Sequence, residues 1–105
     1  MVCDVYVLHQ VGKTLETGLV IAERLRSAGI EVILHSTADG SPGSFKSQMK
    51  KADASGAGYA VIIGEDELQN GQAQLKDLRG TGEQQAVALD DVLEAVIDRL
   101  VSGSD

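Results

Sequence analysis

Three lysines in one short segment have the clearest chemical potential in this sequence. Lys46, Lys50 and Lys51 follow a stretch of turn-forming residues in which Ser41 or Ser44 is suited to cap a helix. The first backbone N–H groups of a helix are free and carry partial positive charge, so lysines beside them form a patch suited to phosphate oxygens. The alternative interpretation, which spacing alone favours, is an ordinary solvated helix face.

A lysine and a glutamate farther along the chain form a second candidate site. Lys76 lies on the polar side of an alternating segment, and Glu67 lies in the acidic turn that precedes it. A base edge can accept a hydrogen bond from a lysine and donate one to a carboxylate. The pair could therefore read bases exposed in an RNA loop.

Two histidines and the single cysteine are the remaining residues that could support metal or nucleophilic chemistry. His9 and His35 both end predicted parallel strands, where open α/β sheets hold ligands. Without a Cys or carboxylate at fixed spacing they make a poor metal site, and we assign no metal. Cys3 begins the strand that His9 ends, roughly 20 Å away, which excludes a Cys–His nucleophile pair on that strand. We expect Cys3 to be a small buried hydrophobe and predict no catalytic residue.

The hydrophobic periodicity predicts an α/β fold, a three-layer sandwich in the order β-α-β-α-β-β-β-α with a mixed five-stranded sheet and three main helices. Strands are predicted at residues 2–8, 30–34 and 59–63, in an alternating segment around Ala73 and Leu75, and at residues 83–88. The third strand has no polar side chain and should lie in the middle of the sheet. Three helices and an acidic helical turn at residues 65–68 complete the prediction. The first helix is capped by Thr14, and its core-facing residues are Leu15, Leu19, Ala22 and Leu25. The second covers residues 45–55, and its core-facing residues are Phe45, Met49 and Ala52. The third is capped by Asp90, and its core-facing residues are Leu93, Val96, Ile97 and Leu100.

The length and charge of the chain bound its class. A chain of 105 residues fits a single domain, which we place at residues 1–105. Nine basic and 16 acidic residues give a net charge of −7, which taken alone argues against nucleic acid. Up to Gly64, however, six basic residues balance six acidic ones, so a basic site on the first half remains open. A single cysteine, no signal peptide and no bilayer-spanning apolar run predict a soluble cytoplasmic protein.

Several strings of residues resemble one known family over nearly the whole chain. They are Phe-Lys-Ser-Gln-Met-Lys-Lys-Ala-Asp from Phe45, Gly56-Ala57, the run at residues 60–68, Gly71, Lys76-Asp77-Leu78-Arg79 and Gly82-Glu83-Gln84. In this order and spacing they resemble the C-terminal anticodon-binding domain of bacterial-type histidyl-tRNA synthetases, of class IIa. The resemblance implies the same element order and RNA contacts in the loop before the second helix, the acidic turn and the next strand. Those places hold Gly43, Ser44 and Lys46, then Glu67, then Lys76 with Arg79 nearby.

The resemblance also implies partners and limits. The anticodon stem-loop of histidine tRNA would be the ligand, without DNA or membrane, and the parent enzyme would be a homodimeric ligase using ATP and Mg in a separate catalytic domain. The catalytic signatures are absent from this sequence, so aminoacylation is not expected of it alone. Two departures from the family pattern put base-by-base assignments in doubt: Ser41-Pro42 replaces part of a glycine-rich loop, and the segment at residues 79–82 is one residue longer than usual.

Two other classes of function compete with RNA binding. A stand-alone interaction or dimerisation module of the same fold would explain the net charge of −7. A small flavodoxin-like or receiver-like switch would need clustered acids or a phosphate-binding loop at the strand ends, which Leu8-His9-Gln10 does not supply.

Overall fold

A computed structural model describes residues 3–10, 12–36 and 43–102 and contains one five-stranded sheet. Its spatial order is β2-β1-β3-β4-β5. The first three strands in this order are parallel, and the last two are antiparallel to their neighbours, which confirms the predicted mixed sheet with the third strand in its middle. The strands are β1 (Val5–His9), β2 (Val32–Leu34), β3 (Tyr59–Ile63), β4 (Gln72–Asp77) and β5 (Gln84–Ala88).

Helices cover both faces of the sheet, so the predicted three layers are confirmed. Helices α1 (Lys13–Ser27) and α4 (Val92–Ser102) lie on one face, and α2 (Phe45–Ala54) lies on the other. The predicted acidic turn is a short helix, α3 (Glu65–Gln69), between β3 and β4. None of these helices, nor any other in the described part of the chain, is long and apolar enough to cross a bilayer.

Alternation along the strands divides the core into two clusters, because successive side chains point to opposite faces. In β3, Val61 and Ile63 face α1 and α4, whereas Ala60 and Ile62 face α2. The α2 side also contains Phe45, Met49 and Ala52, the stripe predicted for that helix. The remaining buried members are Val5, Val7, Ile21, Leu25, Ile30, Ala73, Leu75, Val92 and Val96 on the first side and Cys3, Tyr6, Leu8 and Ala57 on the second.

Two predicted helix caps are wrong. Helix α1 begins at Lys13 after Gly12, and the Thr14 side chain is buried and accepts a hydrogen bond from the Gln10 N–H at 2.7 Å. Asp90 lies within a single 3₁₀ turn, Leu89–Asp91, and α4 begins only at Val92. In both cases the residue type is suited to cap a helix, but the helix begins at a different residue.

Two predicted core residues are also wrong. Leu19 is 50% exposed, because Gly18 is the residue of that turn that faces the sheet. Ile97 is 37% exposed, whereas Val92 and Val96 of the same helix are buried. The first strand starts at Val5 and includes His9, so its predicted bounds were too early.

The two edge strands of the sheet differ in how their edges are covered. The Arg26 guanidinium of α1 donates a hydrogen bond at 3.1 Å to the carbonyl of Val32 in β2. In β5 only Val87 is partly buried, and the other four residues are exposed. The edge at β2 is therefore occupied by a side chain, while the edge at β5 is open.

Candidate nucleic-acid interface

The start of α2 has the geometry of an anion site. Ser44 caps the helix as predicted, and its hydroxyl accepts a hydrogen bond from the Ser47 N–H at 3.1 Å. Gly43 has φ +73°, and a Cβ there would lie 2.7 Å from the Ser47 hydroxyl, so this position requires glycine. The N–H groups of Phe45 and Lys46 have no acceptor among the described residues and are free for a ligand. Ser41, the other cap considered, lies outside the described residues.

Helical spacing places two of the three α2 lysines together and separates the third. Lys46, Lys50 and Asp53 are four and three residues apart and share one flank of α2. The Asp53 carbonyl accepts a hydrogen bond from the Arg79 guanidinium, just after β4, at 2.5 Å. Gln48 contacts His9 of β1 from the other flank of α2, so the flank of Lys46 and Lys50 faces β4. Lys51 follows Lys50 directly and points roughly 100° away around the helix. Lys46, Lys50 and Arg79 are thus on one side of the molecule, and Lys51 is on another flank.

Lys76 is on the same face of the sheet as α2. It lies opposite Ala60 of β3, which packs against α2, and opposite Gln84 of β5. Lys46, Lys50 and Lys76 form no ion pair with any carboxylate in the described residues. These three lysines, which we call the basic row, are therefore available to an anionic ligand.

An open row of amide side chains continues this face beyond Lys76. Gln72 and Gln74 of β4 and Gln84 of β5 lie on the same side of the sheet as Lys76, as the strand register and alternation require. None of the three side-chain amides has a protein partner among the described residues. Sequence reasoning missed them, although glutamines at alternate positions in a strand signal a polar face able to donate and accept hydrogen bonds.

Glu67 has a structural contact in addition to its predicted contact with RNA. Its Oε1 accepts a hydrogen bond from the Gly64 N–H at 3.1 Å, which closes the first turn of α3. The Gln10 side chain supports the same turn by accepting from the Glu65 N–H at 2.8 Å. A shallow cavity of about 200 Å³ lies between the start of α2 and this turn, with Phe45 and Glu67 in its walls. The turn thus places Glu67 close to the start of α2.

A larger cleft opens on the other side of α3. It has a volume of about 520 Å³ and lies outside the carboxyl ends of β1 and β3, where Gln10, Gly12 and Lys13 face Glu65 and Gln69. Open α/β sheets characteristically bind ligands at such a place, because the chain order reverses there. The two cavities lie on either side of the contact between Gln10 and α3.

The two histidines are close together, as their positions at strand ends suggested. Both belong to a buried hydrogen-bond network. Their ring centroids are 6.0 Å apart, and both side chains are buried. The His9 Nε2–H donates to the His35 carbonyl at 2.8 Å, and His35 Nδ1 lies 2.7 Å from the Tyr6 hydroxyl. Burial raises the pKa of Tyr6, so its hydroxyl keeps its proton. No group of three or more His, Cys, Asp or Glu that could hold a metal ion exists within the described ranges.

Cys3 is buried, as predicted for a small hydrophobe. Only 7% of the residue is exposed, and its Sγ–H donates to the Val5 carbonyl at 3.0 Å. Burial raises the pKa of the Cys3 thiol above its ordinary value. The side chain is therefore a neutral part of the α2-side core.

The turn between β4 and β5 is organised by one carboxylate. Asp77 Oδ1 accepts from the N–H groups of Arg79 at 3.0 Å and Gly80 at 2.8 Å, and Oδ2 accepts from that of Thr81 at 3.2 Å. The hydrogen bond from Gly80, followed by those from Arg79 and Thr81 and the charge of Arg99, lowers the pKa of Asp77. This carboxylate fixes the backbone from which Arg79 reaches α2.

We expect Asp77→Asn to lower the free energy of unfolding at pH 7 by about 1 kcal/mol, because the amide cannot accept all three hydrogen bonds. The folded pKa of Asp77 lies below its unfolded value, so its stabilisation is present above about pH 4 and is lost as pH falls through the folded pKa. The difference between the two proteins should narrow below about pH 4 in urea unfolding. The control is Asp98→Asn, because the Asp98 carboxylate is exposed and has no partner among the described residues. A difference that stayed constant down to low pH would contradict this role.

Comparison with known proteins identifies the family. The family model described as "Anticodon binding domain" matches residues 4–99. The chain is 53% identical over 105 residues to a histidine–tRNA ligase of Ralstonia nicotianae and 51% identical over 109 residues to that of Cupriavidus pinatubonensis. It covers 24% of each relative, and these alignments include 97% and 98% of the chain. It therefore spans about a quarter of the length of these relatives.

Solved structures agree with the sequence comparison. The histidyl-tRNA synthetase from Nostoc sp. superposes with a TM-score of 0.81 at 34% identity over 95% of this chain and 23% of that chain. The apo Staphylococcus aureus enzyme gives a TM-score of 0.78 at 26% identity over 90% of this chain and 26% of that chain. With most of its length matched by the family model, and with the fold and order of elements in agreement, the chain belongs to the anticodon-binding domain family.

Proposed function

We propose that this chain is the tRNA-binding part of a cytoplasmic histidine–tRNA ligase and holds the anticodon stem-loop of histidine tRNA. The observation that carries the proposal is the basic row, Lys46, Lys50 and Lys76, unpaired on one face of a member of the anticodon-binding domain family. The free N–H groups at the start of α2 add further donors for phosphate beside this row. Residues up to Gly64 carry no net charge, whereas the acidic excess begins at Glu65 in α3, next to the start of α2, so the lysines of the basic row must supply the attraction for phosphate.

Each part of this surface has a chemical role in the proposal. Lys46, Lys50 and the α2 start contact phosphates, which set the position of the RNA without reading its sequence. The Lys76 ammonium, the free carboxylate oxygen of Glu67 and the open amides of β4 and β5 contact base edges, which carry the sequence information. Arg79 contributes at the other end of α2, and Lys51, on its separate flank, is the weakest of the proposed contacts.

Ligation would take place elsewhere in the proposed parent enzyme. ATP and Mg²⁺ would act in its catalytic domain, which would form a homodimer, and this chain would add affinity and discrimination for the tRNA. The described acids of this chain do not gather with histidine or cysteine into a metal site.

Titration of the chain with a labelled anticodon stem-loop of histidine tRNA tests the proposal by fluorescence anisotropy. We expect saturable binding that is weaker for a stem-loop with a different anticodon. Two lysine–phosphate contacts on single-stranded RNA, from Lys46 and Lys50, predict that affinity falls about fivefold or more between about 50 and 200 mM salt. Equal affinity for both stem-loops, or none for either at low salt, would contradict it.

The second candidate is a protein-interaction or dimerisation module of the same fold without RNA binding. It is favoured by exposed apolar side chains on the helices of the opposite face, Leu19 and Val20 on α1 and Val101 on α4, which are 50%, 51% and 66% exposed. Sedimentation of the same sample distinguishes the two functions. A stable dimer that does not bind the stem-loop would favour the interaction or dimerisation module.

A further inference from the structure

A buried glutamine on α2 connects the start of that helix to the sheet. Gln48 is 0% exposed, although its amide carries two donors and an acceptor. A buried amide destabilises a fold unless its polar atoms are paired. The Gln48 Nε2 donates hydrogen bonds to the His9 carbonyl at 2.7 Å and to the Gly43 carbonyl at 3.5 Å, and Gln48 Oε1 accepts one from the His9 N–H at 3.1 Å.

The amide of Gln48 takes the place of a missing strand. The pairing of β1 with β2 ends at Val7 and Leu34, and the last backbone hydrogen bond on this side joins the His35 N–H to the Val7 carbonyl at 2.9 Å. In a strand, the N–H and C=O of alternate residues point to the same side, so the His9 peptide groups face the space beyond the end of β2. The side chain of Gln48 fills that space and satisfies both groups.

This contact fixes the part of α2 that the proposed site uses. Gln48 lies one residue after Ser47, whose N–H is held by the Ser44 cap, and two residues after Lys46. The ring of His9 also holds the His35 carbonyl, so the ends of β1 and β2 and the start of α2 converge on one residue. Lys76 is on β4 and has no part in this network.

We infer that Gln48 is a positioning residue for RNA binding, which holds the Ser44 cap and Lys46 in place through its two hydrogen bonds to the His9 backbone. The inference rests on the proposed function. Gln48 itself does not touch RNA, because it is buried under the helix. Its effect on affinity therefore passes through the residues at the start of α2 and not through those on β4.

Amide hydrogen exchange followed by NMR tests the contact without RNA. In the wild-type chain the His9 amide should be protected, since its acceptor is the Gln48 side chain. In Gln48→Met, which keeps the side-chain length and removes the hydrogen bonds to His9 and Gly43, the His9 and Ser47 amides should exchange faster while those of β4 keep their protection. An unprotected His9 amide in the wild-type chain would overturn the inference, and this measurement needs no variant to fold.

Affinity for the anticodon stem-loop of histidine tRNA tests the positioning role. We expect Gln48→Met to bind about tenfold more weakly, whereas Val96→Ala, which opens a cavity in the core on the other face, should bind as the wild type does. Both are measured at a temperature at which circular dichroism shows them folded. Equal losses in the two variants would mean a general effect of stability and would overturn the inference.

A pair of double-mutant cycles separates positioning from a merely structural role. The loss caused by Gln48→Met should shrink by about threefold or more when Lys46 is already Ala, and it should be unchanged when Lys76 is already Ala. Additive losses in both cycles would overturn the inference. A wild-type chain that binds no stem-loop overturns the proposed function and this inference together, whereas wild-type binding that Gln48→Met leaves intact overturns the inference alone.

Discussion

Reversing the charge of the basic row, with Lys46→Glu, Lys50→Glu and Lys76→Glu combined, should weaken binding to the anticodon stem-loop by at least about 100-fold at low salt. Each substitution removes a lysine that contacts a phosphate or a base edge, and adds a charge that repels the RNA. The salt dependence should also become flatter, because fewer counterions are released on binding. Fluorescence anisotropy at two salt concentrations measures both effects.

A matched pair of variants separates location from net charge. Lys46→Glu with Lys50→Glu changes the charge by as much as Lys13→Glu with Arg24→Glu on α1, on the opposite face of the sheet. Arg24 and Asp90 form an exposed pair at 4.0 Å, which contributes little to stability. The α2 pair should lose most of its affinity and the α1 pair much less. Equal losses would mean that total charge, and not the basic row, controls binding.

Gly18→Leu should have the largest effect on stability, a loss of about 3 kcal/mol in the free energy of unfolding. Gly18 lies where α1 comes closest to the sheet, and a Cβ there would be 3.3 Å from Leu34 Cδ1 and 3.4 Å from Val7 Cγ1. A leucine must displace α1 or force these side chains out of their rotamers. Urea unfolding followed by circular dichroism gives the loss.

Two companion variants define the cause of that loss. Gly18→Ala should be nearly neutral, because the flexible Leu34 side chain can yield to one methyl group while the helix gains about 1 kcal/mol of propensity. Glu23→Leu, at an exposed position of α1, should change stability by less than about 0.5 kcal/mol. If Gly18→Leu were as stable as Glu23→Leu, the close approach of α1 to the sheet would be wrong.

The order of elements could be predicted from the sequence because local patterns determine it. The apolar run of β3 and the alternation around Ala73 and Leu75 each have one arrangement that buries their side chains. The Ser44 cap was also predictable, since its partner is three residues away in the chain. Such features depend on neighbours in sequence and need no knowledge of the rest of the fold.

The failures occur where a helix meets the strands, which the residue types alone do not show. Thr14 has the residue type of a cap, but its hydroxyl is used by the backbone of Gln10 after β1. Leu19 has the residue type of a core position, but Gly18 is the residue of that turn that faces the sheet, at a distance too short for a large side chain. Gln48 was missed for the converse reason, because a glutamine in an amphipathic helix normally indicates a solvated face.

The candidate site was predictable in part. The position of the α2 lysines beside a capped helix start follows from the local sequence, and Lys76 on the polar side of β4 follows from alternation. That the Lys46 and Lys50 flank faces β4, while Lys51 does not, required the hydrogen bond between Arg79 and Asp53. Whether these residues touch RNA stays a prediction.

The guanidinium of Arg26 on the β2 edge limits how copies of this sheet can associate. An incoming strand would have to displace its hydrogen bond to Val32 before pairing with that edge. Of the two edges formed by the described residues, β5 offers the free row of backbone groups, so edge-to-edge growth would use that side of each copy. Such pairing closes after two molecules and cannot propagate into a fibre.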